Sequence, residues 1–122
     1  LASAEFASIG GPAVEGTLMT FGPDPTKKPQ AAEVVKKFEA KKINPESYTL
    51  YSYAAVQVIK QAAEKAGSLD PKKVAEAMHS GMTFNTVIGS FAYDAKGDRK
   101  DSDYVVYVWK KGADGKMIYE QM

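Results

Sequence analysis

No cysteine occurs among the 122 residues, which excludes disulfides, cysteine nucleophiles and thiolate metal sites. Histidine and tryptophan occur once each, as His79 and Trp109. A metal centre needs several such ligands together, and the carboxylates here are scattered over helix faces, so no metal and no cofactor are expected. His79 falls late in a predicted helix, where a partial positive charge is favourable, and it has no triad partners. No run reaches the roughly 18 apolar residues of a membrane span. Basic and acidic residues, 16 against 15, leave a net charge of +1. The basic residues cluster no further than pairs, Lys27-Lys28, Lys36-Lys37, Lys41-Lys42, Lys72-Lys73, Arg99-Lys100 and Lys110-Lys111. Each pair suits a solvated turn or helix face, so nucleic acid is not an expected partner.

Motifs of catalysis are missing as well. There is no Walker A run and no G-x-G-x-x-G, and Ser8, Ser52 and Ser80 lack a nucleophile-elbow context. Asp94-Ala95-Lys96-Gly97-Asp98 begins like a calcium loop, but its Asp spacing and distal Glu are wrong. Receiver domains need acidic clusters at strand ends and a later Lys, and the predicted strands do not end that way. Without an acid, a base and a nucleophile in one place, the chain is not expected to be an enzyme.

What is present is ordinary globular composition, 44% apolar and 25% charged, in a length that suits about one domain with a modest core. The chain begins with Leu1 rather than Met, so a processed or cut product is expected, with any signal peptide removed upstream. A short helix is expected over Leu1 to Ser8, with Ala2, Phe6 and Ile9 inward and Gly10-Gly11-Pro12 as its stop. A strand follows near 17–21, then a loop of Gly22-Pro23-Asp24-Pro25. Pro29 opens a helix over 29–42 with the stripe Ala31, Val34, Val35 and Phe38. Asp70 and Pro71 are N-cap and first residue of a helix over 71–80, with Val74, Ala77 and Met78 inward and Gly81 after it. One strand, interrupted by a bulge at Gly89-Ser90, is expected near 84–93. Gly97 supplies a positive φ to the turn after it. Asp103 to Trp109 and Met117 to Glu120 alternate as a C-terminal β-hairpin.

The longest element is the helix predicted over 47–66, NPESYTLYSYAAVQVIKQAAEKAG with its flanking turns. Ser47 is the expected N-cap and Gly67 the left-handed C′ residue. Tyr51, Ala55, Val58, Ala62 and Ala66 make one face, and Leu50, Ala54 and Ile59 a second. Its first turns carry Tyr48, Tyr51 and Tyr53. Amphipathic rings on such a helix serve as core or interface; beside unsatisfied N–H groups at a helix start they also suit a small anion or zwitterion. The class is α/β. Two strands, near 17–21 and 84–93, do not make a stable sheet under these helices, so the chain reads as part of a larger fold.

Four stretches carry a resemblance: LASAEFASIGGPAVEGTLMT, SYTLYSYAAVQVI, FNTVIGSFAYDAKGDRK and YVVYVWKKGADGK. In that order and spacing they resemble the C-terminal third of the periplasmic solute-binding proteins of branched-chain amino acid ABC transporters, across essentially all 122 positions. The resemblance implies a type I periplasmic-binding-protein fold of two Rossmann-like lobes, with an amino acid held in the cleft between them. It assigns residues 1–20 and 103–122 to one lobe and 24–99 to the other. It makes Phe21, Gly22 and Pro23 one interlobe crossing, and Lys100, Asp101 and Ser102 another. The family's acidic partner for the ligand ammonium would lie just before Leu1; Tyr48 is the one ligand-binding position that carries over. The implied role is the solute-binding component of an importer, periplasmic in a Gram-negative cell or a cell-surface lipoprotein, working with a membrane permease. The implied state is an incomplete site needing the upstream part of its chain, or a swapped dimer. Two alternatives remain open: a sensor for amides, urea or γ-aminobutyrate on the same fold, or an interaction fragment that binds nothing itself.

Overall fold

The computed structural model describes residues 1–101 and 103–122. Its contacts divide into two compact units, one of Leu1–Pro23 with Asp103–Met122 and one of Asp24–Ser102. The mixed α/β class expected from the pattern is what forms.

In the first unit, helix α1 (Ala4–Gly10) runs into a 3₁₀ turn, Gly11–Val14. Gly11 has φ 52, and Pro12, which lacks an N–H, falls at the start of the turn, where none is needed. The turn at Gly10-Gly11-Pro12 therefore tightens the chain rather than stopping the helix at Ser8. Ala2 is buried as expected, but Ile9 is 82% exposed. Strand β1 (Leu18–Phe21) pairs with β4 (Val105–Lys111), which pairs with β5 (Met117–Gln121), all antiparallel. Alternation puts Met19, Tyr107 and Trp109 on the covered face. There Trp109 lies 5.5 Å from the Phe6 ring and 5.0 Å from Tyr119. Leu18, Val106 and Ile118 stand exposed on the other face. The β4–β5 turn is fixed by Gly112 and Gly115 backbone bonds and by Asp114 Oδ1, which accepts from the Lys116 N–H at 3.0 Å.

The second unit opens with Asp24 capping a 3₁₀ turn, Pro25–Lys27, through the Thr26 N–H. The helix expected over 29–42 is a second 3₁₀ turn, Pro29–Ala31, followed by α2 (Ala32–Ala40). Its end is earlier than expected because Lys42 turns left-handed, with φ 59. The Ile43 N–H then reaches back to the Phe38 carbonyl at 3.0 Å, closing a Schellman-type end. Helix α3 (Ser47–Ala66) has Glu46 in extended conformation at its N-cap position, without a side-chain capping bond, and Ser47 is already helical; at its far end Gly67 is left-handed at φ 58. Helix α4 (Pro71–His79) starts on Asp70, whose carboxylate accepts from the Lys72 and Lys73 N–H groups.

The segment 84–93 is not one bulged strand. It folds as a hairpin of β2 (Phe84–Thr86) and β3 (Gly89–Phe91). Its two-residue turn is Val87-Ile88, both buried. Thr86 Oγ1 supplies the polar partners, accepting from the Ile88 N–H at 3.2 Å and donating to the Gly89 carbonyl at 2.8 Å. Nor do 17–21 and 84–93 share a sheet: β1 belongs with the C-terminal hairpin and β2 only with β3. The core of this unit gathers Leu50, Ala54, Val58 and Ala62 of α3 with Val34, Ala77, Phe84, Val87, Ile88 and Phe91. The buried stripe of α3 is thus 50-54-58-62. Ala55 and Ile59, expected inward, are exposed.

Candidate functional site

The start of α3 is built by chain stiffness. Pro45 is buried and holds the entry in extended backbone, and the Thr49 N–H closes the first turn on the Glu46 carbonyl at 2.9 Å. The three tyrosines that follow separate by helical phase. Tyr51 packs partly buried against the core. Tyr53 meets the Phe38 ring edge-on, 6.5 Å between centroids and 75° between planes. Tyr48 stands 62% exposed. At about 100° per residue, Ser52, Ala55 and Ile59 share its side of the helix, and all are exposed. That side continues into an apolar groove of about 300 Å³ lined by Ile59, Ala63, Leu69, Val74 and Met78. One helix therefore has a buried face and an open apolar face, with an aromatic hydroxyl at the open face's leading end.

The residues expected as crossings fall where the two units divide the chain. Phe21 is the last residue of β1 and pairs with Val105. Gly22 is buried, and its carbonyl accepts from the Tyr107 hydroxyl at 3.0 Å. Pro23 is half-buried. The Lys100 N–H donates to the Ala92 carbonyl at 3.0 Å, and Asp101 is exposed. Ser102 lies outside the described residues.

His79 Nδ1 lies 3.0 Å from the Ala95 carbonyl, which ties α4 to the turn below it. In that turn Asp94 Oδ1 accepts from the N–H groups of Lys96, Gly97 and Asp98 at 2.9, 2.9 and 3.0 Å, so it organises the backbone of the turn. No group of three or more metal-ligating side chains occurs among the described residues. Among the described residues, the surface carboxyls of Glu33 and Asp114 sit below their ordinary values. Glu33 is lowered first by its hydrogen bond to Lys37, and Asp114 first by the Lys116 backbone N–H. No helix among the described residues is long and apolar enough to cross a membrane.

The family profile described as periplasmic binding protein matches residues 1–116. Leu/Ile/Val-binding protein homolog 1 of Brucella suis is 60% identical over 121 residues, which are 99% of this chain and 33% of that protein. An amino acid binding protein of Pseudomonas aeruginosa is 49% identical over 116 residues, 94% of this chain and 30% of that one. The crystal structure of a leucine binding protein from Thermotoga maritima superposes with a TM-score of 0.77 at 32% identity, covering 98% of this chain and 34% of that chain. The chain spans about a third of the length of these relatives.

Proposed function

As the chain belongs to the periplasmic binding protein family, we propose that it supplies part of the solute-binding component of an ABC importer for branched-chain or related amino acids. The observation that carries this reading is the 60% identity, along 99% of the chain, to a Leu/Ile/Val-binding protein homolog. The role is capture and delivery, outside the cytoplasmic membrane and to a membrane permease, without catalysis. The two compact units supply elements of two lobes, and Phe21–Pro23 and Lys100–Ser102 are the crossings between them; the division of the chain at those points supports this.

Tyr48 is the contribution of this chain to the ligand. An exposed ring at the first turn of a long helix offers a flat apolar surface and a hydroxyl, which together suit an aliphatic side chain and a charged backbone group. On this reading most of the ligand's carboxylate and ammonium partners belong to the part of a relative-length protein that this chain, about a third of it, does not span. The open apolar faces, Val56 and Ile59 on α3 and Leu18, Val106 and Ile118 on the sheet, are covered by that remainder or by a second copy.

Titration calorimetry tests the reading. A relative-length polypeptide carrying this sequence binds leucine, isoleucine or valine in preference to acetamide, urea and γ-aminobutyrate, and the 122-residue chain alone does not. Micromolar leucine affinity in the isolated chain would overturn the incomplete site. Preference for an amide or γ-aminobutyrate would overturn the ligand class.

A further inference from the structure

Strand β2 has backbone groups that β3 does not use. In an antiparallel pair, alternate residues turn their N–H and C=O outward; in β2 that residue is Asn85, and the N–H of Val87 in the following turn also meets α3. A third strand would normally take them. Instead two glutamines of α3 do. Gln61 makes a two-point contact with the backbone of one residue: its Oε1 accepts from the Asn85 N–H at 3.1 Å, and its Nε2 donates to the Asn85 carbonyl at 2.9 Å. Gln57 Oε1 accepts from the Val87 N–H at 2.9 Å. The spacing is matched: four helical residues advance about 6 Å, and two strand residues about 6.6 Å. Gln61 Nε2 also donates to the Gln57 carbonyl at 3.1 Å, which ties the latch back to its own helix.

Apolar packing selects the buried stripe of α3, and the directed amide bonds narrow the rotation and register that packing leaves. Gln57 is nine positions after Tyr48, which at about 100° per residue puts the two on opposite sides of the helix. We infer that Gln57 and Gln61 form a surrogate strand on the edge of β2 that narrows the rotation and register of α3, and so are positioning residues for Tyr48. This rests on the proposed ligand role of Tyr48, while the latch itself does not.

Two measurements separate those parts. Amide hydrogen exchange in the 122-residue chain reads the latch. Gln57→Ala speeds exchange at Val87 by about tenfold and Gln61→Ala at Asn85, with the Leu50 and Val58 amides of α3 unchanged as internal controls. Gln57→Glu retains protection of Val87, because only an acceptor is used there. Unchanged exchange at both sites, or an equal rise at the controls, overturns the latch. In a relative-length polypeptide, Gln57→Ala with Gln61→Ala weakens leucine affinity about threefold to tenfold beside Tyr48 and has no further effect beside Tyr48→Ala. If Tyr48→Ala alone changes nothing, the ligand role of Tyr48 fails. If Tyr48→Ala weakens binding while the glutamine changes are additive or silent, positioning fails.

Discussion

Tyr48 and Leu50 sit two residues apart in α3 and do opposite things. Leu50 is among the largest fully buried side chains, and Tyr48 is 62% exposed. An exposed ring contributes far less to stability than a buried side chain, so Tyr48→Ala shifts thermal unfolding of the 122-residue chain much less than Leu50→Ala does. In a relative-length polypeptide the same change lowers leucine affinity by about tenfold or more, as loss of a buried aromatic contact does; calorimetry reads the difference. Lys42 offers a second test. It is the non-glycine residue with positive φ among those described, and a left-handed lysine costs about 1 kcal/mol. Lys42→Gly relieves that strain against a gain in unfolded-chain freedom, for a net stabilisation of about 0.5 kcal/mol by urea unfolding. Asp114 gives the pH dependence. Its folded carboxyl lies below the ordinary value, chiefly through the Lys116 N–H, so its contribution is present above an unfolded pKa of about 3.9. It is lost as pH falls through the lower folded value. The Lys116 amide resonance follows that loss below about pH 4, and Asp114→Asn flattens it.

Helix α3 shows how far periodicity reaches. Its length, its start near Ser47 and the left-handed Gly67 follow from Pro45, a long run of helix formers and a glycine stop. The inward face does not follow, because apolar residues go nearly all the way round and offer two competing stripes. Packing selects 50-54-58-62, where small residues let the β2–β3 hairpin and α4 approach. Leu50→Ala therefore costs about 2–5 kcal/mol, whereas Ile59→Ser in the isolated chain stays within about 0.5 kcal/mol; denaturant melts of the two separate the faces. The hairpin at 84–91 was hidden for a different reason. Its turn is Val87-Ile88, apolar residues that read as strand, and the signal for reversal is split between Gly89 at φ 113 and the Thr86 hydroxyl. Glutamines in a helix carry no mark of the strand edge they will meet.

At the scale of the molecule, each unit covers one face of its elements and leaves another open: Val56 and Ile59 in one, Leu18, Val106 and Ile118 in the other. Exposed apolar surface of that kind favours association. Light scattering on the isolated chain is expected to give a mass above the 13.2 kDa of one copy, falling toward it on dilution. A single mass of one copy at all concentrations, with cooperative unfolding, would show that these faces need no cover.

By itself the sequence determined the element types, the caps at Asp70 and Gly67, the C-terminal hairpin and the family, because these depend on neighbours a few residues apart or on matched order along the chain. Tyr48 as a candidate came from the same source, through the resemblance. Only the tertiary structure decided that β1 pairs with β4 rather than with 84–93, which face of α3 is buried, and that Gln57 and Gln61 close the edge of β2. Those choices rest on contacts such as Gln61 to Asn85, 24 residues apart, and on packing between surfaces that local patterns leave equivalent.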